Sequence, residues 1–255
     1  MDQVKWELFE SREDNKAVKY LWKYWTLPQL FDFLLNNQIW FSRLDKFDDP
    51  YEAITNRVNM LVDQFRGANN PSLITREEDA FKIARQQTLE RQKKIFACAF
   101  YSSEIESVAM WRLYSKEAGI AVKFDIDKLQ SEIMNGSVIP NMEDMKYERY
   151  YGLVDYVHMQ SPDIINPKKT SVKNTGFKKD TAYEHEKEFR FLYSFFSESF
   201  TEHLMGFYHR VSLKVSDFEI IISPMLPRWQ RAILKSTLLC LNETYVVRDS
   251  KLILD

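Results

Sequence analysis

Residues 95–102, IFACAFYS, are apolar at odd and even positions alike. A strand alternates its side chains between two faces, so such a run predicts a strand buried on both sides, at the centre of a sheet. Other segments are β-prone and aromatic: VKYLWKYWT (18–26), QIWFSRL (38–44), GIAVKFD (119–125), MKYERYYGLVDYVHMQ (145–160, a strand pair), FYHRVSLKV, EIIISP (219–224) and the terminal YVVRDSKLIL. Helical spacing interrupts them. Pro28 opens LPQLFDFLLNN, with Leu30, Phe31, Leu34 and Leu35 on one stripe and Asn36-Asn37 to close it. ESVAMWRLYS (106–115), IDKLQSEIMN and RWQRAILKSTLLCLNE read as further helices, and 52–95 as two more, split around GANNPS (67–72). The polar segment 161–180 reads as a long loop. Without repeat or linker, the chain reads as one α+β domain over residues 1–255, with residues 1–17 as a polar lead-in.

Composition removes several functions. Only six glycines occur, and no Gly-rich phosphate loop is among them. The net charge of −2 does not advertise nucleic acid or an anionic membrane. No run approaches the length of a membrane span, and the polar, acidic start MDQVKWELFE does not read as a signal peptide, so the expected location is the cytoplasm. Cys98 and Cys240 both stand in apolar runs and are expected to be buried thiols, and no Cys/His spacing suggests zinc.

The candidate chemistry is carboxylate chemistry. In AYEHEKEFRFLY (182–193), Glu184, Glu186, Glu188 and Arg190 fall at every second position. Read as a strand they share one face, either a solvated surface or the wall of a cleft. Asp48, Asp49 and Glu52 could hold a metal, but a turn with a helix cap is the preferred reading and no metal is predicted. The four histidines, His158, His185, His203 and His209, lack a nucleophile elbow and are read as surface or satisfied core residues. In SSEIESVAMWRLYS (102–115), Met110 and Tyr114 read as core, whereas Trp111 is placed to stack on a flat ligand ring.

Four blocks, LWKYWT with Lys23 and Tyr24, FDDPYE (47–52), MWRLY followed by Gly119, and EKEFR, resemble in order and wording a bacterial family known as domain of unknown function (DUF) 2971. The resemblance runs from about residue 20 to 225, leaving the C-terminal helix and strand (226–255) outside it. The family name carries no activity. A more distant resemblance is to ADP-ribosyltransferases. It implies small twisted, antiparallel sheets forming a cleft with flanking helices, and NAD as the substrate. It further implies Glu188 as the catalytic carboxylate and Glu186 as its partner. Lys23, Tyr24, Ser102, Ser103, Trp111, Tyr114 and Arg190 would line the NAD side. The acceptor would be protein or nucleic acid, contacted by the Lys-rich segment 161–180, and the setting anti-phage defence or toxin activity. Two other readings stand beside it. One is a nucleic-acid-directed module using Lys168, Lys169, Lys173, Lys178 and Lys179, with Tyr156 nearby. The other is a non-catalytic interaction domain.

Overall fold

The structure is a computed structural model, and it describes residues 5–9, 18–49, 86, 88–115, 119–139, 145–157, 176–196 and 203–252. The expected α+β domain is present. Thirteen strands are defined among the described residues: β1 (Trp6–Leu8), β2 (Tyr20–Trp25), β3 (Gln38–Arg43), β4 (Ile95–Ser102), β5 (Ile120–Asp125), β6 (Val138–Ile139), β7 (Tyr147–Leu153), β8 (Asp155–Val157), β9 (Lys178–Asp180), β10 (Glu188–Phe195), β11 (Gly206–Arg210), β12 (Phe218–Ile222) and β13 (Val247–Asp249). The α-helices are α1 (Leu27–Asn36), α2 (Val108–Met110), α3 (Ile126–Asn135) and α4 (Arg228–Leu241). Most of the expected two-helix stretch 52–95 lies outside the described residues, although 88–92 are helical.

Eleven strands form one mixed sheet, and β8 and β9 form a separate parallel pair. The main path runs β1-β7-β10-β4-β2-β5-β12-β13. As its composition predicts, β4 is central. One of its edges pairs with β10 along almost its whole length, from Ser194↔Ile95 to Glu188↔Tyr101. The other edge forks. Phe96 and Ala97 pair with Arg43 and Ser42 of β3, whereas Tyr101 and Ser102 pair with Trp22 and Leu21 of β2. Helix α1 connects the two prongs. Gln29 Oε1 accepts a hydrogen bond from Thr26 N at its start, Pro28 occupies its first turn, and Asn37 closes it in the left-handed conformation (φ 50°). At the fork, the Lys23 ammonium donates to the carbonyl of Ala99, a β4 carbonyl between the two pairing zones.

The register gives the sheet two unlike faces. On one, Leu21, Trp25, Phe100, Phe124, Phe191, Tyr193 and Phe207 join the main core, covered by α1, α3 and α4 through Leu30, Phe33, Leu129, Ile133, Leu234 and Leu238. On the other face two smaller clusters sit apart. Trp22, Tyr24, Tyr101, Met110 and Trp111 form one, and Phe9, Leu44, Tyr150, Phe177 and Leu192 form the other. Burying that much aromatic surface is the main source of stability.

Three sequence expectations change. Cys240 is exposed, because helix α4 turns it away from Leu234 and Leu238, whereas Cys98 is buried as expected. The segment 145–160 gives β7 and β8, but they do not pair with each other, since β7 joins the main sheet and β8 joins β9. The end of the expected loop 161–180 is strand β9.

Phe124 is fully buried, with ring neighbours Trp25, Phe33, Phe100 and Phe218 at centroid separations of 5.7–6.2 Å. Phe124→Ala is expected to lower the unfolding free energy by about 3–5 kcal/mol. Urea unfolding of both proteins checks this, and a loss below about 1 kcal/mol would mean that Phe124 does not anchor β2 and α1 to this core.

Candidate functional site

The charged stretch is not one strand. Residues Thr181–Glu186 form a 3-10 helix capped by the Asp180 carboxylate, which accepts from Ala182 N at 2.9 Å. Lys187 then takes a left-handed conformation (φ 39°), and β10 starts at Glu188. Glu184 is therefore left exposed in the 3-10 helix, while Glu186 and Glu188, on either side of the turn, are brought onto one lysine. The even-numbered positions of β10 set Glu188 and Arg190 on the face that carries the two small clusters, with Glu188 opposite Tyr101.

The lysine is Lys179. It stands on β9 in register with Tyr156 of β8, and its ammonium contacts a Glu186 oxygen and, at 2.7 Å, Glu188 Oε1. Arg190 Nε donates to the second oxygen of Glu188, and Arg190 Nη1 donates to the Gly176 carbonyl at 2.8 Å. The Tyr114 hydroxyl donates to Glu186 Oε1 at 2.6 Å. The Tyr156 hydroxyl accepts from Glu188 N at 2.8 Å. All four charged groups are nearly inaccessible, Glu186 at 3%, Glu188 at 6%, Lys179 at 4% and Arg190 at 0%. The wall is thus neither a solvated face nor an open acidic surface. Two carboxylates and two cations are buried together, and the direct hydrogen-bonded pairing of opposite charges is what makes burial tolerable.

The two carboxylates differ in kind. Burial and the adjacent Glu188 carboxylate push Glu186 up to about 7, against the pull of Lys179. Burial also opposes charge on Glu188, but Arg190, the hydrogen bond with Glu186, and Lys179 hold it well below the usual carboxylate range. Tyr114 is raised above the ordinary phenol range by burial and by Glu186, and Tyr156 by burial and by the charge of Glu188. Both phenols therefore stay protonated at neutral pH. Tyr114 is 38% exposed, so solvent approaches the network from the Tyr114 and Glu186 side. The Tyr183 ring also lies there, 4.6 Å from the Lys179 ammonium.

Of the residues predicted for the site, Glu186, Glu188, Arg190 and Tyr114 come together. Trp111 does not stack outward. It is wholly buried, packs edge-on against Tyr24 at 5.0 Å, and donates from Nε1 to Glu106 at 3.1 Å. Tyr24 lies in the same cluster and accepts from Ser107 N at 2.9 Å. Lys23 is on the opposite face of β2, engaged at the fork. Ser102 ends β4, its N–H donating to the Lys187 carbonyl at 2.9 Å, and Ser103 forms the turn that follows, accepting from Trp22 Nε1 at 2.7 Å.

The sequence reading did not place Lys179 or Tyr156 in this centre. Lys179 stands in the polar run KKD (178–180), and no local signal sets it apart from Lys178. Among the described residues no cluster suited to a metal ion exists; Asp48 is exposed and Asp49 buried, and Glu52, Lys168, Lys169 and Lys173 fall outside the described residues. His209 is buried against Phe41 and Tyr193, with its pKa pushed down to about 4 by burial, and His185 and His203 are exposed.

A family model described as "Protein of unknown function (DUF2971)" matches residues 110–191. That segment starts one residue before the π-helical turn Trp111–Ser115, which carries Tyr114, and ends one residue after Arg190, so it contains Tyr114, Tyr156, Lys179, Glu186, Glu188 and Arg190. The earlier blocks around Lys23 and Phe47 lie outside it. No curated protein and no solved structure matches the chain, and nothing in the comparisons supports a likeness to ADP-ribosyltransferases.

The network makes stability depend on pH in a defined way. A carboxylate raised by folding stabilises the fold fully below its unfolded pKa, and that contribution is lost as pH rises through the folded value. For Glu186 the window runs from about 4.5 to about 7. Glu188 is lowered, so its contribution is present above about 4.5 and is lost as pH falls below it. Urea unfolding at pH 5 and pH 8 is expected to show the Glu186→Gln protein gaining on wild type by more than about 1 kcal/mol at the higher pH. An equal difference at both pH values would show that Glu186 does not titrate in this range.

Proposed function

We propose that the protein is a glycosyl-transfer enzyme that uses NAD as its substrate in the manner of ADP-ribosyltransferases, with Glu186 as the working acid–base group and Glu188 as its fixed partner. The observation that carries this reading is the pair of buried carboxylates on one lysine, one held ionised and the other poised near neutrality beside a solvent-reached tyrosine. Titratable groups driven apart in this way are a mark of acid–base centres. The preference for NAD over other glycosides rests on the resemblance of the Glu-x-Glu block.

In the proposed reaction the bond between nicotinamide and ribose C1′ breaks, and its electron pair leaves with nicotinamide. The acceptor's nucleophile bonds to C1′ and gives its proton to Glu186. With both carboxylates ionised the four charges sum to zero, and with Glu186 protonated they sum to +1. Positive charge developing on the ribose is therefore favoured by ionised Glu186 in this low-dielectric site. Glu188, with both oxygens on cations, sets where Lys179 and Glu186 stand. This divides the work differently from the sequence expectation, in which Glu188 is the catalytic carboxylate and Glu186 its partner. Protein or nucleic acid is the acceptor class, and an effector in the cytoplasm, in anti-phage defence or as a toxin, is the setting this chemistry fits.

NAD consumption, followed with lysate proteins and nucleic acid as acceptors, tests the reading. Wild type is expected to turn over NAD, with kcat/KM rising as pH passes about 7. Glu186→Gln is expected to reduce kcat by about 10²–10⁴-fold while leaving the fold intact. Tyr114→Phe removes a donor to the ionised form, so it is expected to move the pH midpoint upward. Glu188→Gln leaves Arg190 short of a counter-charge and is expected to cost about 3–5 kcal/mol of stability, so its activity is read beside its unfolding curve. Absence of NAD loss with every acceptor, or full activity of Glu186→Gln, overturns the proposal.

A further inference from the structure

Helix α4 packs against β12 and β13 and buries Leu234 and Leu238 in the main core, so it lies on the face of the sheet opposite the carboxylate network. A groove of about 340 Å³ runs along it, lined by Arg228, Arg231, Ala232, Lys235 and Asp249. Arg228, Arg231 and Lys235 are spaced three and four residues apart, which puts their side chains on one ridge of the helix. Ala232 leaves the floor open between them. None of the three makes a salt bridge within the described residues, and Arg231 Nε is buried there with no hydrogen-bond partner. Three cations around one groove, with no carboxylate paired to them among the described residues, invite an anion that can accept from their exposed donors. Asp249 is the one carboxylate in the lining. It repels a bare anion and suits a ligand that also carries a hydroxyl or amine donor. Trp229, beside Arg228, is 64% exposed.

The geometry points to a binding groove for a phosphate ester that bears a hydroxyl, held by Arg228, Arg231 and Lys235 on its phosphate oxygens and by Asp249 on its hydroxyl. A free nucleotide and the end of a nucleic-acid strand share this chemistry. The groove is independent of the Glu186 centre. Its residues lie beyond the family-matched segment 110–191 and across the sheet from the network.

Two probes separate the sources: ADP, followed by calorimetry, and a fluorescein-labelled twelve-residue single-stranded deoxythymidine oligonucleotide carrying a 5′-phosphate, followed by anisotropy. Each is titrated into wild type, Arg231→Glu, Lys235→Glu and Glu186→Gln. Either reversal is expected to weaken binding at least about tenfold, because a cation contact becomes a repulsion, while Glu186→Gln binds like wild type at this groove. Binding of ADP identifies the nucleotide source. Binding of the oligonucleotide alone, weakening with salt as expected for up to about three neutralised phosphates, identifies the strand end. The reversed residues are exposed or half-buried on the helix surface, and unchanged unfolding curves confirm folded variants. Failure of wild type to bind either probe below about 1 mM, or binding that both reversals leave intact, overturns the inference.

Discussion

Strand β4 cannot be satisfied by one neighbour on its second edge, and much of the architecture follows from this. Its sequence demands cover on both faces, and its length outruns the pairing that either β2 or β3 supplies. The chain answers by splitting the edge between them and joining the prongs through α1. A fork leaves strand carbonyls that no neighbouring strand reaches, and an unmet buried carbonyl is costly. Lys23 reaches into that interval and donates to Ala99. A basic residue in the aromatic run LWKYWT, read from sequence as part of a ligand wall, is thus explained by backbone accounting. Its other neighbours agree with this: the Phe100 ring lies 5.0 Å from the ammonium and the Cys98 sulfur 3.7 Å.

The opposite edge of β4 carries β10, and β10 brings the charges. Four ionic groups buried together contribute little net stability compared with a well-packed apolar replacement, while removal of Glu188 strands Arg190. Such an arrangement contributes specificity of geometry more than free energy. Lys179 fixes Glu186 relative to Glu188, Arg190 ties Glu188 to the Gly176 carbonyl, and Tyr156 braces the backbone where β10 begins. The β8–β9 ribbon is short, yet its parallel register is what sets Lys179 beside Tyr156 and over that strand start.

How much of this was legible in the sequence depended on whether the signal was local. Strand β4 was read to the residue, because a continuous apolar run leaves few alternatives. Helix α1 was equally plain from Pro28, its apolar stripe and Asn37. The Glu-x-Glu-x-Glu run misled in detail. Its period of two suggested a strand through Glu184, but the Asp180 cap and the left-handed Lys187 spend those residues on a 3-10 turn. The pairing of Glu186 with Glu188 survived for a different reason: the turn and the strand start place them on one lysine. Lys179 was hidden because a lysine-rich stretch looks alike whether solvated or buried, and only the β8–β9 pairing distinguishes one lysine from its neighbours. LLCLNE does not reveal which helical face meets the core, so the exposure of Cys240 has no local signal. The fork and the α4 groove are tertiary features with no local signature.

The position of Tyr114 shows how far apart the parts that define the centre lie in the chain. Tyr114 sits in a π-helical turn, a geometry of widened hydrogen bonding that is sensitive to its flanks. That turn is held from two sides. Trp111 is locked into the cluster with Tyr24 and Tyr101, and its indole nitrogen donates to Glu106. Glu106 in turn accepts from the Ser250 hydroxyl and from Lys251 N at 2.9 Å, just past β13. The β12–β13 arm, to which α4 is fixed, therefore reaches across to the segment that aims a hydroxyl at Glu186. Asp249 in the α4 groove ends β13, immediately before Ser250, so the groove lining and the contacts that hold Glu106 adjoin in the chain. The two faces of the sheet are separate in chemistry, and the end of β13 is where their supports adjoin.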